Sequence, residues 1–225
     1  KWESLLNSSP GATVFHTAEW ALALQTTFRD FRVKYVVIQD QNGRYVAGMP
    51  LVQDRSLIFS RYTSMPFGTY GGPLVVEGLE KEVSAFISVS LQGLTRAVSP
   101  FSFCCVLYNT PVLLERALQN AFPSGRRIRA TTHLMDLTPG FLKLWDSLFD
   151  KETRTCARKA ARSGVTVVEN TTEQGAALLY SLYKRQAASW KMERVYPARL
   201  VSEIVNRMGQ RVRNWTGILR GSAVC

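Results

Sequence analysis

The sequence predicts a mixed α/β fold, and three observations support that prediction. Helical and strand-like segments interleave over the first 140 residues. Asn42-Gly43 lies between two strand-like segments and is the strongest short hairpin signal. Residues 79–97 have apolar positions at helical spacing and separate two further strand-like segments. Of the 225 residues, 46% are apolar and 20% charged, which excludes a disordered or low-complexity protein.

The predicted elements of the first 140 residues follow one order: helix, three strands, loop, helix, strand, helix and strand. Their bounds are 19–28 (with Thr17 as N-cap), 33–39, 45–53, 57–62, 64–73, 79–97, 101–108, 111–121 and 128–137. Pro111 suits the first turn of its helix, and Pro50 predicts an edge or a bulge in its strand. This order predicts an antiparallel meander that leads into a parallel crossover.

The remaining residues predict the beginning of a second sheet. A helix that begins at 142, or at 151 after a break, runs to 162, and Gly164 stops it. It is followed by a strand at 165–169, helices at 172–191 and 197–208, a strand at 212–219 and a turn at Arg220-Gly221. These elements amount to half a domain. We therefore expect a second domain that is truncated at residue 225.

Charge is unevenly distributed along the chain. Residues 1–150 hold 14 basic and 12 acidic side chains, a net charge of +2, whereas residues 151–225 hold 14 and 5, a net charge of +9. Such an asymmetry indicates either a solvated basic face or an anionic partner: a phosphate group, a nucleic acid or a membrane surface. No apolar run approaches the ~18–20 residues of a membrane span, and four cysteines, two of them adjacent, favour a reducing cytoplasm.

Several kinds of catalytic site are excluded by the sequence. It contains no phosphate-binding P-loop, dinucleotide-binding or nucleophile-elbow motif. With only His16 and His133, a His-rich metal site is excluded, so no metal is expected. His133 and Asp136 would face opposite sides of a strand. We expect His16 to order the start of its helix.

A basic stripe is the strongest local feature. At 100° per residue, Lys151, Arg154, Arg158 and Arg162 lie within about 80° on one helix face. Like charges so placed repel each other unless they are solvated or bind an anion, and the arginine fork suits phosphate oxygens. Ala157, Ala160 and Ala161 lie towards the other side, which suits packing. The stripe is therefore either a solvated face or a phosphate-binding surface.

A glycine loop is the second feature. Residues 64–73 hold three glycines and two prolines between a strand and a helix, where open α/β sheets often bind ligands. Gly68, Gly71 and Gly72 permit close backbone approach and positive φ, while Phe67 and Tyr70 supply a wall. The loop is either a binding wall or a tight structural turn with aromatic packing.

Aromatic residues lie beside basic residues in the second half of the chain. Tyr183, Trp190 and Tyr196 lie near Lys184, Lys191 and Arg194, which fits base stacking or ordinary core packing.

Three segments together resemble the FemAB-like branch of the GNAT acyltransferase superfamily. They are Val14-Phe15-His16-Thr17-Ala18-Glu19-Trp20, the glycine loop, and the run from Thr153-Arg154 through Arg158-Lys159-Ala160 to Arg162-Ser163-Gly164-Val165. The resemblance implies tandem GNAT-like domains: a first at 1–140, a connecting basic helix region at 141–163, and a truncated second domain from 164 to 225.

The resemblance implies an acyl- or aminoacyltransferase that modifies an amine of a cell-envelope precursor, peptidoglycan or polysaccharide. Acyl-CoA or aminoacyl-tRNA would be the donor and a sugar-phosphate or nucleotide-sugar the acceptor, in the cytoplasm or at the inner face of the membrane. Lys151, Arg154 and Arg158 would bind acceptor phosphates, and Phe67, Gly68, Tyr70, Gly71 and Gly72 would line the acceptor groove. The GNAT pyrophosphate motif R-x-x-G-x-G/A is absent from these residues, and no cofactor or general base is indicated, so we expect this chain to be inactive alone. A non-catalytic RNA- or anion-binding module is the alternative.

Overall fold

The fold is mixed α/β, as predicted, and comprises two compact units, Lys1–Gly125 and Arg126–Cys225. The computed structural model describes residues 1–55, 60–97, 101–104 and 112–224; for residues 60, 94–97 and 101–104 it describes the backbone alone. The two units differ in charge. Unit 1 holds ten basic and nine acidic side chains, a net charge of +1, and unit 2 holds 18 and eight, a net charge of +10.

Unit 1 has the predicted helices and strands in the predicted order, together with a helix at Trp2–Asn7 and a strand at Leu74–Val75 that were not predicted. Its elements are α1 (Trp2–Asn7), a 3-10 turn (Val14–His16), α2 (Ala18–Thr27), β1 (Phe31–Gln39), β2 (Tyr45–Asp54), β3 (Ser60–Thr63), β4 (Leu74–Val75), α3 (Glu80–Ala97), β5 (Phe101–Cys104) and α4 (Val112–Ala121). The predictions for 57–59, 105–108 and Pro111 lie outside the described residues.

The sheet of unit 1 is the predicted meander and crossover. Strands β1, β2 and β3 pair antiparallel, β4 pairs with β2, and α3 connects β4 to β5, which lies parallel to β3. Pro50 pairs with β1 and lies between the positions at which β2 meets β4 and β3, so its missing N–H falls in a gap of the ladder. The register shift lies at Ile38/Gln39 rather than at Pro50.

Helices cover both faces of this sheet. On one face, Met49, Leu51 and Tyr62 pack with buried residues of α3 and α4 such as Leu91 and Leu114. On the other face, Leu5 and Leu6 of α1 pack against Leu74, and the Trp2 and Tyr35 rings meet edge to face at 4.6 Å. Alternation along the strands sends successive side chains to the two layers, which is why β2 is buried almost throughout.

Strand β1 is the outermost strand in the described part of this sheet. Side chains alternate along it, so Lys34 shares the core-side face with Val36 and Ile38. The Lys34 Nζ lies 5.7 Å from the centroid of the Tyr62 ring, which is itself buried. An inward-facing cation therefore sits at the open edge of the sheet.

Unit 2 confirms the predicted second sheet and resolves the uncertain helix start into two helices. Its elements are α5 (Phe141–Ser147), α6 (Lys151–Arg162), β6 (Thr166–Glu169), α7 (Glu173–Ser189), α8 (Ala198–Met208), a 3-10 turn (Gly209–Arg211), β7 (Trp215–Leu219) and β8 (Ser222–Ala223). Strand β7 pairs antiparallel with β6 and β8, and Arg220-Gly221 forms the predicted turn, both residues with positive φ.

A buried asparagine organises unit 2. The Asn214 side-chain amide donates to the carbonyls of Asn170 (3.1 Å) and Gly175 (3.0 Å), and its backbone N–H donates to the Thr171 hydroxyl. These bonds join the residue that precedes β7 to the turn before α7 and to the first turn of α7. Buried polar groups are stabilising only when their hydrogen bonds are made, and Asn214 makes them.

The strand predicted at 128–137 is wrong. The segment pairs with no strand in the described chain, and its large apolar residues are exposed. His133 and Asp136 therefore lie on no common strand, and Asp136 accepts hydrogen bonds from Thr138 instead. A local sequence pattern shows only that a segment could form a strand. A strand also needs a partner strand from elsewhere in the chain, which the local pattern does not reveal.

Candidate functional site

The glycine loop forms the first candidate site, at residues 64–73 of unit 1 between β3 and β4. Its two ends cross at close range: a Cβ on Gly71 would lie 2.6 Å from the Ser64 carbonyl carbon and 2.7 Å from the Met65 nitrogen. Only a residue without a side chain fits there. Gly71 needs that close approach rather than a positive φ, which within this loop belongs to Phe67 and Gly68.

His16 fastens the loop to the start of α2. Its Nδ1 accepts a hydrogen bond from the Thr13 backbone N–H (3.1 Å), and its Nε2 therefore carries the proton and donates to the Gly72 carbonyl (3.2 Å). Burial lowers the pKa of His16, because the uncharged ring suits the interior. His16 therefore orders the 3-10 turn just before α2, whereas the N-cap of α2 itself is the Thr17 hydroxyl, which accepts the Trp20 backbone N–H. Both ring nitrogens of His16 are bonded to backbone groups, which leaves neither for proton transfer.

The loop residues proposed from the sequence separate into an exposed tip and a buried base. Phe67 and Gly68 lie at the exposed tip, where the Phe67 ring packs 5.3 Å from that of Phe28. Tyr70 is half-buried and meets Phe15 edge to face, while Gly71 and Gly72 are buried. The part of the loop open to a ligand is therefore its tip.

Two buried polar groups in this region were missed from the sequence. The Ser64 hydroxyl and the Trp20 indole N–H are buried without a hydrogen-bond partner among the described residues. Ser64 is the residue whose backbone Gly71 touches, and the Trp20 ring meets that of Phe15 edge to face, as Tyr70 also does. No sequence motif predicts such groups, because tertiary packing, and not residue type, decides whether a buried polar atom finds a hydrogen-bond partner.

The basic stripe forms the second candidate site, on α6 of unit 2. The Asp150 carboxylate caps this helix by accepting the Thr153 N–H (2.6 Å); that bond, with a smaller contribution from the Arg154 charge, lowers the pKa of Asp150. At the other end, Gly164 adopts φ +83° and Val165 donates to the Ala160 carbonyl (3.1 Å). The helix lies where the sequence predicts it.

Arg154 of α6 binds the neighbouring helix α5, a contact that the helical spacing of the stripe does not predict. Its guanidinium donates to the carbonyls of Trp145 (3.1 Å) and Asp146 (2.9 Å), at the C-terminal end of α5. The positive charge lies where a helix dipole is negative. Arg158 lies 6.0 Å from the centroid of the Trp145 ring. These contacts join α5 to α6.

The rest of the stripe is open to an anion. Lys151, Arg158 and Arg162 are exposed, and their side chains form no ion pair with the described residues. In unit 2 the ion pairs described join Glu203 to Arg199 and Arg207, and Glu169 to Arg213. Of the three alanines expected to pack, Ala160 is half-buried, whereas Ala157 and Ala161 are exposed.

A metal centre is not formed by the residues that the structure describes. No group of three His, Cys, Asp or Glu side chains gathers there in a way that could hold an ion.

Comparison with known proteins adds no family. The chain matches no protein-family model and no curated protein. The two candidate sites therefore rest on their own geometry.

Replacing Gly71 with alanine tests whether the loop depends on its close crossing. We expect Gly71→Ala to lower the free energy of unfolding by about 1–3 kcal/mol, because the added methyl group overlaps backbone that cannot move aside. Chemical denaturation measures the change. Gly93→Ala is the matched control: Gly93 lies in α3 with open space around it, so alanine there should be neutral or stabilising. Equal stability of the two variants would contradict the account of Gly71.

The neutral state of His16 predicts a pH dependence of stability. Since its pKa is lower in the folded chain than the ordinary 6.5, the unfolded chain takes up the proton first as the pH falls. The contribution of His16 is complete above pH 6.5 and is lost as the pH falls towards its folded-state pKa. Denaturation between about pH 7.5 and pH 5 should show a smaller loss for His16→Gln than for the wild type. The exposed His133, changed to Gln, should keep the wild-type slope; identical slopes for all three proteins would refute the prediction.

Arg154→Ala tests the joint between α5 and α6. Loss of its two hydrogen bonds should weaken α5 by about 1 kcal/mol, seen as roughly fivefold faster hydrogen exchange of the α5 amides. Arg162→Ala removes an exposed charge of the same stripe and should leave that exchange unchanged. Equal exchange rates of the α5 amides in the two variants would show that Arg154 does not hold α5 against α6.

Proposed function

We propose that the protein is an acyl- or aminoacyltransferase of the FemAB-like type, acting on an amine of a cell-envelope precursor. The observation that carries the proposal is the topology of unit 1. An antiparallel meander ends in β3, the glycine loop follows its carboxyl end, and α3 leads to β5, parallel to β3. This is the order that the resemblance implies, and the loop lies where open sheets of this kind bind ligands.

Unit 2 supports the tandem arrangement within this proposal. In unit 1, α2 leads into the hairpin of β1 and β2; in unit 2, α8 leads into the hairpin of β7 and β8. The same local sequence of helix, strand, turn and strand thus occurs in both units. A GNAT-like second domain that begins within unit 2 is consistent with this repetition.

The acceptor would be anionic. Lys151 and Arg158 offer charges without an acidic partner among the described residues, in a unit whose net charge is +10. Arginine binds phosphate through two parallel hydrogen bonds, which suits a sugar-phosphate or nucleotide-sugar. Arg154 would contribute chiefly by holding α6 in place, since its guanidinium already donates to two carbonyls.

The reaction would join an acceptor amine to an activated acyl group. The amine attacks the carbonyl of a thioester or ester, from acyl-CoA or aminoacyl-tRNA, and the thiol or hydroxyl leaves with a proton. The protein would contribute orientation and donors for the oxyanion, which supply much of the acceleration in such reactions. His16 is not proposed as the base, because both ring nitrogens are already bonded.

The alternative is a non-catalytic module that binds RNA or another anion. The observation that favours it is a row of tyrosines in unit 2: the ring of Tyr183 lies 6.0 Å from that of Tyr180 and 6.4 Å from that of Tyr196. Trp190, at the end of α7, is exposed. Aromatic rings beside basic groups provide stacking platforms for bases.

Titration with a uridine-diphosphate amino sugar tests the acceptor site. Arg158→Ala should weaken binding of the sugar nucleotide by about 1.5–3 kcal/mol. Arg158→Lys should lose less affinity, because the lysine ammonium keeps the positive charge but cannot form the two parallel hydrogen bonds of the guanidinium. Added salt should weaken binding to the wild type. Arg185→Ala is the matched control, since Arg185 is exposed on α7 away from the stripe.

The same titration separates the two functions when a transfer assay accompanies it. Transfer from acetyl-CoA or aminoacyl-tRNA to the bound sugar supports the transferase. Binding of RNA without transfer from either donor favours the alternative. Wild-type affinity in Arg158→Ala would overturn the acceptor site.

A further inference from the structure

Exposed apolar side chains are concentrated in the segment that precedes the basic stripe in unit 2. Between residues 128 and 148, six large apolar side chains are 57% to 77% exposed: Ile128, Leu134, Leu137, Phe141, Leu142 and Leu148. Apolar side chains crowded on the outside of a protein usually mark a binding surface, because their exposure to water is unfavourable. The proposed transferase function gives these residues no role.

Helix α5 is amphipathic. At 100° per residue, Phe141, Trp145 and Leu148 share one face, whereas Lys143, Asp146 and Ser147 lie on the opposite side. The rings of Phe141, Trp145 and Phe149 form a row with 5.7 Å between successive centroids. Phe141 and Leu148 on this face are exposed, although Leu144 is buried. The helix thus presents apolar groups outward.

Basic side chains are frequent in the same part of the chain. Residues 126–162 hold nine Lys and Arg against four Asp and Glu, a net charge of +5. Arg154 holds α6 against the end of α5, and Arg158 lies over the Trp145 ring. Apolar and cationic groups are therefore fixed side by side in one helical pair.

We propose that residues 126–162 form a docking surface for an anionic phospholipid membrane. A lipid surface offers acyl chains that bury exposed Leu and Phe side chains and phosphates that attract Lys and Arg a few ångströms above them. The binding would be peripheral, since no helix in the described chain has the length and apolar character to span a bilayer. Nucleic acid fits less well, because aliphatic side chains such as Leu134, Leu137 and Leu142 offer it neither stacking nor charge.

Co-sedimentation of the full chain with vesicles tests the proposal. Vesicles of phosphatidylcholine mixed with phosphatidylglycerol should bind the protein at least about tenfold more strongly than vesicles of phosphatidylcholine alone, and added salt should reduce the difference. Such vesicles contain no amine acceptor for the proposed transferase. Failure of the transferase proposal therefore leaves this result unaffected, and the reverse also holds.

Two sets of variants separate the apolar from the charged contribution. The triple variant L134S/L137S/L142S should bind mixed vesicles at least about tenfold more weakly. The matched control F86S/V89S/V112S changes three unit 1 side chains that are 61% to 66% exposed, and it should bind as the wild type does. R158Q/K159Q/R162Q should lose the preference for phosphatidylglycerol, whereas K184Q/R185Q on α7 should keep it.

Circular dichroism and melting curves verify that the triple variant folds, which its exposed positions lead us to expect. Wild-type vesicle binding in the leucine variant, an equal loss in the control, or no preference of the wild type for anionic vesicles would each overturn the proposal. Binding to polyuridylate that survives the leucine changes, with no binding to vesicles, would assign the surface to RNA and likewise overturn it.

Discussion

Unit 1 depends on a steric constraint at the base of the glycine loop, where the backbone of Gly71 meets that of Ser64 and Met65. This crossing brings the chain that leaves β3 back to β2, so that β4 can pair there. His16 then binds the loop to the 3-10 turn that precedes α2. The buried base of the loop is therefore explained by packing. Only the exposed tip of the loop, where Phe67 has a left-handed backbone conformation, is accessible to a ligand.

Polar contacts carry more of the organisation in unit 2, where few side chains are buried. Asn214 joins β7 to the turn before α7, and Arg154 joins α6 to α5. Arg154 binds carbonyls at the C-terminal end of α5, which have no partner within that helix. Asn214 instead binds carbonyls in the turn before α7 and in its first turn. The stripe proposed for phosphate binding thus has two parts: Arg154 positions the helix, and its exposed neighbours remain available to anions.

Local signals account for what the sequence predicts correctly. The Asn42-Gly43 hairpin, the Thr17 cap and the Gly164 stop each depend on residues close together in the chain. The false strand at 128–137 shows the limit, because pairing requires a distant partner. The face of the basic stripe followed from helical spacing. The carbonyls that Arg154 binds, and the burial of Asn214, arise only when separate elements meet.

The position of Lys34 affects how copies of the chain behave towards one another. Strand β1 is nine residues long and lies at the edge of the sheet that the described residues form, with backbone groups that another strand could pair with. A second sheet added there would continue the apolar layer past Lys34 and strip water from its ammonium group. The irregular pairing at Ile38/Gln39 also interrupts the regular ladder. Both features oppose edge-to-edge aggregation at high protein concentration.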